Sequence, residues 1–556
     1  MDPGETFFPS QYEENKMKAK LLAACAAALM LLPLAGQAAK VVDTDLLAKS
    51  GKAPSLAKAG TDVMTAEDYI EYASINDVNI HDLYFSTILY EGTESCLMCH
   101  QDDAEAMLGM GHFKWQGKVE NIAGVEGQEY GKNQLLNNFC IAVPTNEGRC
   151  TQCHAGYGYD DKNFDFNNPA NIDCLICHDQ SDTYAKAPKT AGRPVDGIDL
   201  NVVARSISQG GTPTINNCID CHAKAGGGDN VKHGDLAMNL KNTTREYDVH
   251  MGTDGADLDC VACHGANHEP DTGAYNHGVA GMPLHSVHEG EMKQCTDCHG
   301  QAVTIHRDTP ANDLIEPGWH DRLACQVCHI PAIARKTPTK TEWYWETAGD
   351  ADRVPVKDPE TGMPDYDKMK GDFVWGLNVR PVLRYSNGKW NRKLINVSDT
   401  YSEEPIDLGS PQGGFSDPDA MIYPFKLMVG SQPVDPNTKT VLGPHLFGMK
   451  GGPNPYWAKY DWDLALQDGA KYTGQNYSGT YGFAKTEMLL SVNHEVAPKE
   501  NALGYGAVPD SCMDCHITGA VDFTELGWTD DPFNGGERVD GGESVMLDRP
   551  APTSMD

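Results

Sequence analysis

Basic residues are scarce in this chain: 44 Lys and Arg stand against 79 Asp and Glu, a formal net charge of −35. A field of that sign disfavours nucleic acid and anionic lipid, and it favours solubility and docking with basic redox partners. An anionic substrate would need a local basic funnel against it. Long apolar runs are missing too. The stretch that comes nearest to a span, Leu21 to Leu34, is short of the ~20 residues a membrane helix needs. Lys18 and Lys20 precede it and Gly36-Gln37-Ala38 follows as a small-x-small cleavage site, which is the pattern of an export signal. Residues 1–38 are therefore read as a signal peptide. Met17 is taken as the true start, because the acidic stretch before it fits no signal n-region. The mature chain is expected in the periplasm, or secreted, with no membrane span after cleavage. Spare cysteine is the third shortage. Of 18 cysteines, Cys25 leaves with the signal and all others but Cys140 belong to one repeated motif, so no disulfide framework exists.

That motif is Cys-x-x-Cys-His, and it occurs eight times. The pairs are Cys96 and Cys99, Cys150 and Cys153, Cys174 and Cys177, and Cys218 and Cys221. Then follow Cys260 and Cys263, Cys295 and Cys298, Cys325 and Cys328, and Cys512 and Cys515. The closing histidines are His100, His154, His178, His222, His264, His299, His329 and His516. Two thiols three apart add to the two vinyl groups of one haem, and the next imidazole swings under the iron as an axial ligand. Zinc knuckles or thioredoxin-like redox pairs also use Cys-x-x-Cys, but neither explains a histidine after every copy. Eight covalently bound haem c groups are the expectation, and haem c is attached outside the cytoplasm, in accord with the signal.

The motifs divide the chain unevenly. Residues 39–95 form an N-terminal lead-in, helical around Ala66–Leu89. Residues 96–329 hold seven motifs, too little polypeptide for a conventional core, so short helices and irregular loops packed around porphyrins are expected there, without an extended sheet. Residues 330–490 have no cysteine and one histidine, His445, but many aromatics. Runs such as Phe373-Val374-Trp375 and Arg380–Tyr385, with the turn Asn387-Gly388, mark a haem-free, partly β or irregular insertion covering the haem array. Residues 491–528 carry the eighth motif, and 529–556 form an acidic, Gly-rich tail. The fold class is thus a multihaem cytochrome c.

Twelve histidines lie outside the motifs, and bis-histidine ligation of every iron would use eight of them. The count permits a pure electron wire without demanding one. An iron with two imidazoles can only pass electrons; catalysis needs a sixth position that is free or weakly held.

The stretch Gly131–Val143, Gly-Lys-Asn-Gln-Leu-Leu-Asn-Asn-Phe-Cys-Ile-Ala-Val, leads into Asn146-Glu147-Gly148-Arg149 and the second motif. With Phe164–Asn168, Val231-Lys232-His233-Gly234-Asp235-Leu236 and Val492-Asn493-His494, it closely resembles the octahaem tetrathionate reductase family of c-type cytochromes. The resemblance spans the motif-bearing parts from about Glu94 to His516. It implies a periplasmic enzyme whose second haem, on Cys150 and Cys153, is held by a lysine, here Lys232. Whether Lys232 displaces His154 or sits opposite it is left open. It also brings Cys140 to the border of that pocket as a catalytic candidate. A thiol there could orient a polysulfur oxyanion or exchange with it. Lys132 and Arg149 are candidates for holding the sulfonate ends, and Asp or Glu would repel them. Together with closeness to the motifs, the resemblance points to His112, His233, His250, His268, His306, His320 and His494 as sixth ligands, with His285 and His288 as replacements.

Two-electron reduction of tetrathionate to thiosulfate is the leading expectation, with electrons from a redox protein or a quinol-linked donor. Reduction of nitrite or hydroxylamine is the alternative among enzymes. A non-enzymatic conduit with every iron six-coordinate is the alternative of a different class.

Overall fold

The computed structural model describes residues 64–539 apart from 209, 269–274, 280–291, 301–305, 307–321, 507–509 and 517–518. The signal reading and His285, His288 and His320 fall outside the described residues, as does the side chain of His268. Among the described residues no helix is long and apolar enough to cross a membrane.

The motif-bearing half is built of short helices with strong local start signals. Thr65 and Asp68 form a capping box that opens the helix Ala66–Asn76. The Asn79 side chain accepts from the N–H groups of His81 and Asp82 and so starts the helix Ile80–Thr87. The first motif lies in Leu97–Leu108, which kinks at His100. Later motifs fall on Leu175–His178, Ile215–His222, Cys295–Cys298, Cys325–His329 and Asp510–His516. Among the described residues, sheet here is limited to two ribbons: β1 (Gln116–Lys118) with β2 (Glu129–Gly131), and β3 (Ala266–His268) with β4 (Tyr275–Val279). The apolar clusters are small, for example Ala104, Phe113 and Ile172. Other residues of this half, among them Ile122, Leu136, Phe139 and Val327, join the core of the insertion.

The large core belongs to the insertion. Its strands are β5 (Thr339–Tyr344), β6 (Tyr366–Asp367), β7 (Gly371–Gly376), β8 (Val382–Ser386) and β9 (Trp390–Arg392). They continue as β10 (Ile406–Pro411), β11 (Met421–Asp435), β12 (Thr440–Val441) and β13 (Gly482–Ser491). The sheet is mixed, in the order β6-β7-β5-β11-β13-β10-β9, with β8 and β12 also on β11. The long β11 is its spine, antiparallel to β13 from Phe425–Ser491 to Val434–Gly482 and parallel to β5 from Val429–Glu342. From Tyr423 onward the residues of β11 are buried without alternation, because both faces are covered. The expected turn Asn387-Gly388 joins β8 to β9, with Gly388 at φ +85°. The sheet is more extensive than the two short runs read from sequence.

This distant insertion is laced onto the segment around Cys140. The Leu136 N–H donates to the Lys393 carbonyl at 3.0 Å and the Ile395 N–H to the Gln134 carbonyl at 2.9 Å. Asn138 Nδ2 reaches the Met428 carbonyl at 2.6 Å, and Trp345 Nε1 reaches the Phe139 carbonyl at 3.2 Å. At the other end, the start of the acidic tail packs back on the eighth motif. Asp531 Oδ1 lies 2.8 Å from His516 Nδ1, and the Phe533 ring stacks on His516 with centroids 3.9 Å apart.

Candidate functional site

Several motif histidines are oriented through Nδ1, which leaves Nε2 for a metal. His100 Nδ1 lies 2.8 Å from Asp103, His178 Nδ1 lies 2.6 Å from the Gly211 carbonyl, and His516 uses Asp531. Two imidazoles on opposite sides of one iron, each with a metal–nitrogen bond of about 2 Å, have ring centres roughly 6 Å apart. Among the described residues, five pairs have that separation. His81 and His100 stand at 6.1 Å, His112 and His222 at 5.9 Å, and His250 and His299 at 6.1 Å. His264 and His494 stand at 6.3 Å, as do His306 and His329. Asp235 lies 3.3 Å from His494 Nδ1, again leaving Nε2 available. These side chains fit irons held between two histidines.

Of the sequence candidates, His112, His250, His306 and His494 are brought to a motif histidine in this way. His233 sits half-buried beside Lys232. His81 was missed. It precedes the first motif, in a segment read only as a helical lead-in, and its one local signal is the Asn79 cap that orients the helix carrying it.

The second motif departs from this pattern. The backbone of His154 is extended, with φ −72° and ψ 135°, whereas His178, His222 and His329 end helical turns. His154 is fully buried, and its Nε2, the nitrogen that would face a metal, contacts the carbonyl of Phe113. Nδ1 has no hydrogen-bond partner. Rings of Phe113, Trp115, Tyr159 and Phe164 lie 5.1–5.7 Å from the imidazole. Burial pushes the His154 pKa down to about 3, so the ring is neutral. A buried ammonium fixes the backbone: Lys186 Nζ pairs with Asp173 at 2.9 Å and donates to the carbonyls of His154 and Gly156.

Lys232 lies in the turn Gly226–Leu236. Part of its side chain is accessible, but its amine lies deep among protein atoms, and burial, reinforced by Lys132 and Arg392, pushes it well below the usual lysine range. A neutral amine has the lone pair a metal requires. The turn is pinned from β11: Lys426 Nζ donates to the carbonyls of Val231 at 2.6 Å and Lys232 at 3.3 Å, and to Thr339 Oγ1 at 2.6 Å. Cys140 packs under the same turn, with Sγ 3.8 Å from the Gly226 carbonyl. Four cations act on the thiol, Lys370, Lys340, Arg149 and Lys132, yet burial prevails and raises its pKa, so the resting group is a neutral thiol. Lys132 Nζ stands 4.3 Å above Trp115, and the Arg149 guanidinium 5.0 Å from Trp457. Sequence reading had proposed Lys132 and Arg149; Lys340 and Lys370 come from the insertion and carry no local signal. Four basic residues thus act on one thiol in a strongly acidic chain, one of them, Lys370, standing 3.9 Å from Asp367.

Thiols of different motifs also meet. Cys96 lies beside Cys174, Cys153 beside Cys221, Cys218 beside Cys260, and Cys295 beside Cys325. Cys177 lies within electrostatic reach of Cys221, Cys263 of Cys298, and Cys328 of Cys515. The motifs therefore follow one another in space as first, third, fourth, fifth, sixth, seventh and eighth. The second branches off the fourth.

Comparisons with known proteins agree with this architecture. The family model described as cytochrome c bacterial matches residues 340–519, and that of cytochrome c554 and c-prime matches residues 95–179. An uncharacterized protein of Archaeoglobus fulgidus is 28% identical over 229 residues, 32% of this chain and 75% of that protein. The crystal structure of an octahaem cytochrome c from Shewanella oneidensis superposes with a TM-score of 0.71 at 34% identity, covering 84% of this chain and all of that one.

Proposed function

Because the chain belongs to the octahaem tetrathionate reductase family of c-type cytochromes, a multihaem redox protein with covalently bound haem c, we propose that it reduces a small oxyanion at its second motif. The single observation that carries this is the burial of His154 in an aromatic cage with Nε2 turned to the Phe113 carbonyl. With His154 committed to a carbonyl, Lys232, whose amine burial keeps neutral, would hold the iron in its stead. All eight motifs would carry haem, with histidine pairs at the first, fourth, fifth, sixth and seventh.

Bound at Cys150 and Cys153, the haem would supply electrons and one coordination position for substrate. The chain's own residues do the rest. Lys132 and Arg149 of the motif half and Lys340 and Lys370 of the insertion all lie within electrostatic reach of Cys140, which suits a multiply charged anion. Tetrathionate is such a dianion. Its reduction takes up two electrons, breaks the central sulfur–sulfur bond and releases two thiosulfates, with no proton consumed. The neutral Cys140 thiol gives that bond a soft, polarizable neighbour and orients it. The succession of neighbouring thiols supports electron delivery to the second motif from the fourth. The acidic surface suits a basic redox protein or a quinol-linked donor in the periplasm.

A viologen-coupled assay over tetrathionate, nitrite, hydroxylamine and sulfite tests this reading, with tetrathionate turned over best. Preference for nitrite or hydroxylamine would move the assignment to nitrogen substrates. No turnover, with only paired-histidine low-spin signals in the ferric EPR spectrum, would leave a conduit.

A further inference from the structure

Three lysines are buried among the described residues: Lys186, Lys340 and Lys426. Two have the acceptors a buried ammonium requires. Lys186 has Asp173 and two carbonyls, and Lys426 has two carbonyls and a hydroxyl. Lys340 is 3% exposed, and among the described residues its side chain has neither hydrogen bond nor ion pair; its amine faces aromatic rings instead, and burial pushes its pKa well below the usual lysine range. Nζ lies 3.2 Å from the ring centre of Phe373, 3.7 Å from Trp343 and 5.1 Å from Trp375. Ring faces attract a cation, but they do not replace the hydrogen bonds lost on burial. An anion brought beside that amine would supply an acceptor and favour its charged form.

The strand geometry says where that anion would come from. The pairing of β5 with β7 slips between Lys340 and Glu342, so Thr341 is bulged out. Lys340 opposes Trp375 and Trp343 opposes Phe373, which puts Lys340 on the same face as Trp343. Bulges re-aim side chains in this way beside functional sites. That face lies against the Cys140 segment: Trp345 stacks on Trp343 with centroids 5.2 Å apart, and its indole donates to the Phe139 carbonyl. At the start of the strand, Thr339 Oγ1 donates to the Asn230 carbonyl, two residues from Lys232. Lys340 and the Cys140 thiol lie within electrostatic reach of each other, and Lys370 and Asp367 also act on Lys340.

We infer that Lys340 is an anion-binding, specificity-determining residue of the Cys140–Lys232 pocket, holding one charged end of an oxyanion through an amine that has no other acceptor among the described residues. This rests on the reading of that pocket as the reaction site and names the group that selects for charge within it. The aromatic box confines the ammonium, and the anion supplies the missing acceptor.

The test is Lys340→Met in the haem-loaded protein, because methionine fills an aromatic box at similar volume. Haem content and reducibility should match wild type. KM for the dianion tetrathionate should rise by about tenfold or more, KM for the monoanion nitrite by less, and that for uncharged hydroxylamine should stay within about twofold. Lys340→Arg should recover most of the tetrathionate effect. Should the methionine variant not load haem, Lys340→Gln carries the same comparison. Equal losses on all three substrates, or none on any, would overturn the inference. Calorimetric titration of the oxidised protein with thiosulfate separates it from the reading it rests on. If wild type reduces none of the substrates but binds thiosulfate about tenfold more tightly than Lys340→Met, the anion role stands and the reductase reading falls. If wild type and variant bind thiosulfate equally, or neither binds it, the role of Lys340 is overturned.

Discussion

His154 turns its Nε2 to the carbonyl of Phe113, and that one contact separates the second motif from the histidine pairs described above. His154→Ala should leave the ligand field of the second haem unchanged, because the imidazole is engaged elsewhere. It empties an aromatic cage instead, at a cost of about 2–4 kcal/mol by analogy with other large-to-small core changes. Loss of stability with an unchanged EPR spectrum is the expected pair of results. A new high-spin signal would return His154 to the iron.

Lys232→Ala should abolish turnover while the other haems remain reducible by dithionite. A lysine serving only as a surface charge would change stability by no more than about 0.5 kcal/mol and leave the rate intact. Wild-type rates in this variant on every substrate would favour the conduit reading.

Cys140→Ser keeps the size of the side chain and removes the sulfur. Haem loading should be normal, and tetrathionate reduction should fall much further than reduction of nitrite or hydroxylamine, which have no sulfur–sulfur bond. Rates falling together on all substrates would mean the thiol only packs.

Lys186→Met removes one partner of a buried ion pair and leaves Asp173 without its cation. The expected cost is about 3–5 kcal/mol, seen as a lowered unfolding midpoint. The double replacement Lys186→Met with Asp173→Leu should be less destabilising than the single one. Additive losses would show that the pair is not coupled.

Glu147 is buried with one carboxylate oxygen unpartnered, and burial raises its pKa to about 7 from 4.5. The folded state holds this proton at pH values where the unfolded chain has lost it. Its contribution to stability therefore falls as pH rises from about 4.5 to about 7 and is flat above that, by roughly 3 kcal/mol in all. Glu147→Gln removes this dependence, so its midpoint relative to wild type should rise across that interval. A constant difference from pH 4 to pH 8 would contradict the assignment.

The covalent chemistry was legible because it is local: each thiol pair and its histidine fit within five residues. The motif helices and the strand runs around Phe373–Trp375 and Arg380–Tyr385 were legible for the same reason, being set by short-range turn and propensity signals. Sixth ligands are a different matter. His494 meets His264 across more than two hundred residues, and His81 looks in sequence like any polar residue of a short helix. Lys340 was out of reach as well. Its meaning depends on a bulge in the β5–β7 pairing and on which face of the sheet meets Phe139, and neither has a local signature. The fate of His154 could not be read either, since its motif is identical to the other seven.

The hold of Lys426 on the Lys232 carbonyl also sets an order of assembly. The turn bearing Lys232 and seven of the eight Cys-x-x-Cys-His motifs precede β11 in the chain and are made before it. Until residue 426 is made, that turn has only local bonds such as Asn230 Nδ2 to the Gly234 carbonyl, and the grip from the sheet is missing. Synthesis of the motifs and bracing of the lysine turn are thus separate events in the life of the chain. A fragment ending near residue 330 would keep seven motifs and lose that grip. The final setting of the turn waits on the sheet.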